Sequence, residues 1–355
     1  MTIKKKPVIF LDRNENQYGP SPACFKVLQR LKDNTLNIYS RDFERGIKSL
    51  LSERLAKDFG IEEKNILLGY GSEDILKQSV QCYINKGDKI MIPSYSWWYY
   101  KKIADEAEGV NIQYPIVEGK GTFYYDIEGM IKVHDTQKPK LVLISSPNNP
   151  TGNRLEFDQL NYVLEKMKES VVVLDEAYSL FDETYNTDPV GLVKKYPNLI
   201  IIRTFSKYYA LAGIRTGFAF MGDNHDRISL LSARYLGFNR LSEKIAIAAL
   251  DSKEYYNLMR EKMSADMVML FNELNQLPGF QAYKSFANFI LVKIPPELKD
   301  SLKKYLTERN IIIKFMNEDG LESHIRITLG THSQNCMLLK MIKSFMSKET
   351  VHELV

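Results

Sequence analysis

Between residues 65 and 220 this chain alternates short β-rich runs with stretches at helical spacing, and that alternation restricts its fold more than any other feature. Runs at 65–69, 89–93, 140–145, 171–174, 199–203 and 217–221 read as strands, with helices such as 72–83 and 157–168 between them. Strands alternating with helices predict an α/β fold, a mostly parallel sheet covered by helices. Such sheets bind ligands outside the carboxyl ends of their strands. Residues just past each run are therefore the first candidates for chemistry.

Beyond Asp251 the pattern changes. A long amphipathic stretch, 254–277, is followed by strands at 288–293, 311–314 and 325–329, with helices at 296–308 and 333–347. A chain of 355 residues exceeds what one hydrophobic core supports. A large domain and a smaller α/β domain are expected, joined by the long helix.

Charge and composition exclude several function classes. The net charge of +4 is small, and the basic residues are scattered rather than gathered into a stripe, so nucleic acid is not an expected partner. Lys4, Lys5 and Lys6 form the one basic cluster and read as a solvated terminal run. No apolar run reaches the roughly 18 residues of a membrane span, and none of signal-peptide length follows those lysines. A soluble cytoplasmic chain is expected. Cys24, Cys82 and Cys336 have neither pairing nor metal spacing and are given no role. His134, His225, His324 and His332 also lack metal spacing and are expected at the surface or in loops.

Four segments past strand ends carry chemistry. Gly69-Tyr70-Gly71-Ser72-Glu73-Asp74 opens a helix whose free amides can bind a phosphate, although a glycine turn capped by Ser72 accounts for it as well. Ser146-Pro147-Asn148-Asn149-Pro150-Thr151-Gly152 is built of turn formers, yet an asparagine amide there could bond an aromatic hydroxyl on a ligand. Val171 to Tyr178 ends a buried strand with two carboxylates, Asp175 and Glu176, and an unpaired buried carboxylate is too costly to keep. A protonated pyridine nitrogen would partner Asp175; helix capping is the plain alternative. In Thr204-Phe205-Ser206-Lys207 a lysine follows the next strand, with Ser206 and Arg215 placed to bind an anion nearby. Lysine forms Schiff bases with carbonyls once its pKa is lowered.

Together these segments resemble fold-type I pyridoxal-phosphate enzymes, most closely the histidinol-phosphate aminotransferase family. The shared features run in order from Leu11-Asp12-Arg13-Asn14-Glu15-Asn16 through Gly71-Ser72-Glu73-Asp74, Pro147 to Gly152, Asp175-Glu176-Ala177-Tyr178 and Ser206-Lys207 to Arg326-Ile327-Thr328-Leu329-Gly330. They cover nearly the whole chain. The resemblance implies a seven-stranded sheet between helices, with residues 1–40 as an N-terminal arm and small-domain segment, 41–254 as the large cofactor domain and 255–355 as the small domain.

It also implies a role for each residue. Lys207 carries pyridoxal 5'-phosphate as a Schiff base and then moves protons as acid and base in turn. Asp175 pairs with the pyridinium nitrogen, Asn149 and Tyr178 bond the phenolic oxygen, and Trp98 stacks on the ring. Gly71, Ser72, Glu73, Thr204, Ser206 and Arg215 surround the cofactor phosphate. Tyr39 reaches the neighbouring cofactor across a homodimer. Tyr18, Asn149, Lys314 and Arg326 bind the substrate, a glutamate amino donor or a phosphorylated carbonyl acceptor. Three positions depart from the family: Gln17 replaces a proline before Tyr18, Ser40-Arg41-Asp42 replaces a proline turn, and Lys314 replaces a second arginine.

The rival activity is decarboxylation of an O-phospho amino acid such as phosphoserine or phosphothreonine, because the same electron sink serves both reactions. A DNA-binding regulator is disfavoured, since no basic helix-turn-helix precedes Leu11. The run Tyr95-Ser96-Trp97-Trp98-Tyr99-Tyr100 reads as a helix start at the cofactor and dimer contact rather than a nucleic-acid platform.

Overall fold

In the computed structural model, which describes residues 7–32, 34–185 and 187–352, the alternating region forms one seven-stranded sheet. Its spatial order is Ile66–Gly69, Gly217–Met221, Leu199–Thr204, Val171–Asp175, Leu141–Ser145, Lys89–Pro93 and Val110–Tyr114. Gly217–Met221 runs antiparallel to both neighbours, and the remaining pairs are parallel. The reversal puts the whole Thr204-to-Gly217 connection, Lys207 included, at the carboxyl rim of the sheet.

The central strands are continuously apolar because helices cover both faces. Successive side chains point to opposite faces. Leu141, Leu143, Val173, Ile200 and Ile202 accordingly pack with Ile75, Leu76 and Val80 of the helix Ser72–Tyr83. Val142, Ile144, Val172, Leu174 and Ile201 face the other way, onto helices that include Phe157–Lys166 and Arg240–Leu250.

A 23-residue helix, Lys253–Asn275, leads to a five-stranded sheet ordered Ile9–Leu11, Ile311–Phe315, His324–Thr328, Phe289–Lys293 and Gln281–Ala282. Ile9–Leu11 pairs in parallel with Ile311–Phe315, so the two ends of the chain share a sheet. That pairing carries residues 12 to 16 to the rim of the large sheet.

The strands read from sequence agree with those observed to within a residue. The edge strand Val110–Tyr114 escapes the reading because its Val-Asn-Ile-Gln-Tyr sequence is half polar and half exposed. The hairpin Ile116–Gly119 with Thr122–Tyr125 is also absent from it. The histidine expectation holds for His332, which is exposed, and for His225, which is buried but lies in a loop; it needs correction for His134 on the helix Ile127–Gln137 and His324 on the strand His324–Thr328, which are both buried. Each of the three buried rings has a hydrogen-bond partner that offsets part of its desolvation: Ser170 for His134, Tyr83 for His225 and, at 3.5 Å, Tyr283 for His324. Lys4, Lys5 and Lys6 lie outside the described residues.

Candidate active site

Two neighbouring parallel strands supply the acid and the amine. Asp175 closes Val171–Asp175 and is 6% exposed; its Oδ2 accepts from the Tyr100 hydroxyl at 2.9 Å and its Oδ1 from the Ala177 amide at 3.0 Å. Burial pushes its carboxyl up to about 6, against the pull of those two donors. Lys207 stands three residues past the end of Leu199–Thr204, and its Nζ donates to the Arg13 carbonyl at 3.0 Å. Burial, with the Arg326 guanidinium next in weight, lowers its ammonium to about 8.

Asn149, Tyr178 and Arg326 close the same cluster. Tyr178 lies under Lys207, with Nζ 5.8 Å from its ring centre, and its hydroxyl accepts from Asn14 Nδ2 at 3.0 Å. Burial raises the phenol above its ordinary value. Arg326 Nη1 donates to Asn149 Oδ1, and Nη2 donates to the Asp12 carbonyl at 2.7 Å. Among the described residues its Nε is buried without a partner. Lys314 sits directly opposite Arg326 in the antiparallel register, so both side chains leave the same face of the small sheet.

A cup for an anion lies at the rim. The helix Ser72–Tyr83 starts after Gly71, whose φ of 88° suits glycine and which has no side chain to cap the first amides. Ser206 Oγ is buried without a partner among the described residues, while its amide is held by Thr204 Oγ1 at 3.1 Å. Arg215 leans on the cup and pairs with Glu73 at 3.4 Å. Close approach depends on two glycines. A Cβ at Gly71 would fall 2.7 Å from Arg215 Nη2, and one at Gly217 would fall 2.6 Å from the Gly71 carbonyl carbon and the Ser72 nitrogen. Free amides, an idle hydroxyl and a guanidinium are the donor set a phosphate requires. A lysine of lowered basicity and a buried carboxylate complete the set for a phosphorylated pyridine aldehyde, and the residues fit that group.

Other expected residues are not brought into this cluster. Trp98 precedes the helix Tyr99–Glu106, 59% exposed, against Trp97 and Tyr99. Tyr39 is 71% exposed. Tyr18 packs against the small-sheet core, with Lys262 over its ring at 5.9 Å. Two participants were given no role from sequence: Tyr100, which holds Asp175, and Asn14, which holds Tyr178. Asn14 belongs to the segment Leu11 to Asn16 and Tyr100 to the aromatic run Tyr95 to Tyr100. A groove of about 1270 Å³ walled by Arg154, Arg260, Met267 and Phe286 contains none of these residues.

Comparison with known proteins gives the family. The family model described as aminotransferase class I and II matches residues 6–342. Histidinol-phosphate aminotransferase from Ruminiclostridium cellulolyticum is 33% identical over 334 residues, covering 93% of this chain and 90% of that protein. A protein of the same name from Thermoanaerobacter pseudethanolicus is 32% identical over 342 residues, covering 95% and 92%. Among solved structures, histidinol-phosphate aminotransferase from Sinorhizobium meliloti, in complex with pyridoxal-5'-phosphate, superposes with a TM-score of 0.85 at 21% identity, covering 96% of this chain and 92% of that one. L-threonine-O-3-phosphate decarboxylase from Porphyromonas gingivalis gives 0.80 at 21% identity, covering 96% and 100%. At these identities the structural likeness speaks for the fold alone. Among the described residues no helix is long and apolar enough to cross a membrane.

Proposed function

Because this chain belongs to the aminotransferase class I and II family, we propose that it moves an amino group between glutamate and a small phosphorylated carbonyl compound, with histidinol phosphate and 2-oxoglutarate as the best pair. Membership makes it a pyridoxal-phosphate-dependent aminotransferase. The observation that carries the substrate reading is the buried cluster in which Lys207, Asn149 and Arg326 meet, with Lys314 beside Arg326 on the next strand.

When bound, the cofactor supplies an aldehyde that exchanges amines and a ring that accepts the electron pair released at the substrate α-carbon. The chain's own residues do the rest. Lys207 is the amine that anchors the aldehyde and the group that lifts and returns the α-proton. An amine with a pKa of about 8 is roughly one-tenth unprotonated at pH 7, against about 0.04% for an ordinary lysine. Asp175 holds the ring nitrogen protonated, and Asn149 and Tyr178 orient the ring through its phenolic oxygen. Trp98 covers the ring face once the ring is in place. Ser206, Arg215, Thr204 and the Gly71-Ser72-Glu73 turn hold the phosphate. On the substrate side, Arg326 presents its unsatisfied Nε to a carboxylate, while Lys314 and Tyr18 meet the distal anion as single donors.

Purified holoprotein incubated with glutamate alone should convert its aldehyde-form absorbance to that of pyridoxamine phosphate. Absence of conversion, together with carbon dioxide release from phosphothreonine, would replace this reading with the decarboxylase.

The same reading includes a homodimer and the division into segments 1–40, 41–254 and 255–355. An apolar surface supports the dimer: Leu36, Tyr39, Phe43, Leu230 and Tyr235 are all well exposed and would gain by burial against a second copy. Tyr39 on that surface would reach the partner's cofactor phosphate. Sedimentation at micromolar concentration should give twice the 41.1 kDa chain mass; a monomer mass would contradict both the dimer and the Tyr39 role.

A further inference from the structure

We propose that Cys336 is a reactive thiol, a site of modification by small disulfides and other soft electrophiles, with His332 as its base and Asp266 as the group that orients the base. The three side chains stand in series where the helices Lys253–Asn275 and His332–His352 pack together. Cys336 Sγ lies 3.5 Å from His332 Nε2, and His332 Nδ1 lies 2.6 Å from Asp266 Oδ1. His332 and Cys336 are one turn apart on the helix His332–His352 and share its face. Asp266 belongs to the facing helix Lys253–Asn275.

The arrangement orients the imidazole. Asp266 is 3% exposed, and its second oxygen is taken by Asn335 Nδ2 at 2.9 Å. An ionised carboxylate only accepts hydrogen bonds. A neutral His332 that donates from Nδ1 to this carboxylate presents its Nε2 to the thiol. Asn335 is itself locked, donating to the Gly330 carbonyl and accepting from the Gly330 amide. The carboxylate, the imidazole and the thiol are thus held in line by a rigid helix start. Among the described residues no group of three His, Cys, Asp or Glu side chains converges as a metal site, and this relay does not. A nucleophile within reach of a base that a third group orients is the arrangement that activates a thiol.

The remaining cysteines lack it. Cys24 and Cys82 are buried, and burial raises both thiols above their ordinary value. Cys336 is exposed and His332 is 70% exposed, so a reagent reaches both. In the reaction with a disulfide, His332 Nε2 accepts the thiol proton and the Cys336 sulfur attacks one sulfur of the reagent. The reagent's S–S bond breaks as the Cys336–sulfur bond forms, and the departing thiolate takes the proton from the imidazolium. Cysteine is oxidised to a mixed disulfide while half of the reagent is reduced to a thiol. The Tyr18 hydroxyl meets the backbone amide of His332, so an adduct at Cys336 would form one helical turn from that contact.

The test uses full-length holoprotein with a chromogenic aromatic disulfide at neutral pH, following thiolate release and mapping the modified peptide by mass. An ordinary thiol is only a few per cent ionised at pH 7, so proton transfer to His332 should raise the rate about tenfold over a cysteine in an unstructured peptide. The fast phase should amount to one equivalent at Cys336 and vanish in Cys336→Ser. His332→Gln keeps a donor for Asp266 but is no base, and should slow the fast phase about tenfold, to the peptide rate. Asp266→Asn should slow it in the same direction. If His332→Gln, folded as judged by circular dichroism, reacts as fast as the unmodified protein, or if Cys336 reacts no faster than the peptide, the proposal is wrong.

Discussion

Replacing Lys207 with alanine is expected to lower transamination about 10⁴-fold, the upper end of what a positioned proton-transfer group contributes. The side chain has two duties that no neighbour can take over. In the proposed function its amine would anchor the cofactor aldehyde and the same nitrogen would hold and return the substrate α-proton. Asp175 is held by Tyr100, Tyr178 by Asn14 and Asn149 by Arg326, so none of them can turn to replace it. The fold should survive the substitution, because among the described residues the one hydrogen bond of Nζ is to the Arg13 carbonyl. Borohydride reduction followed by peptide mapping should fix the cofactor to Lys207 in the unmodified protein and nowhere in the variant. Retention of more than about 1% of the activity would remove the lysine from the centre of the mechanism.

Asp175→Asn carries the second large effect. An asparagine fills the same space and keeps the bonds to Tyr100 and Ala177 within reach, but it cannot hold a cationic ring nitrogen. Loss of one such contact in a buried site lowers kcat by about 10²- to 10³-fold. The pH dependence separates this role from a structural one. Without the cofactor, burial holds the Asp175 carboxyl at about 6, above its unfolded value. The ionised form that a pyridinium needs is therefore present above about pH 6 and is lost as the pH falls through that value. Cofactor retention should weaken below about pH 6 in the unmodified protein and stay level in Asp175→Asn. Equal pH profiles for the two would exclude the pairing.

Tyr100 and Asn14 mark where sequence reading stops. The Tyr100 hydroxyl meets a carboxylate 75 residues away, and Asn14 meets Tyr178 across 164 residues. Neither spacing leaves a periodic trace. Asn14 also depends on an unusual backbone, with φ of 55°, held by the Thr328 hydroxyl and the Asn288 amide. Its placement follows from Ile9–Leu11 pairing with a strand some 300 residues later, a choice decided by which sheet edge remains open.

Local patterning by itself determined the parallel sheet, the rim where ligands bind and the lysine, aspartate and asparagine on that rim. Burial of apolar faces has a period, and strand ends are read from where it breaks. Tertiary structure decided the rest. It set which hydroxyl steadies Asp175, how far burial moves Asp175 and Lys207, and that Lys314 flanks Arg326. It also aligned a thiol given no role from sequence with an imidazole and a buried carboxylate. Desolvation and hydrogen-bond partnership depend on what surrounds a side chain in space, and residues distant in sequence supply those surroundings.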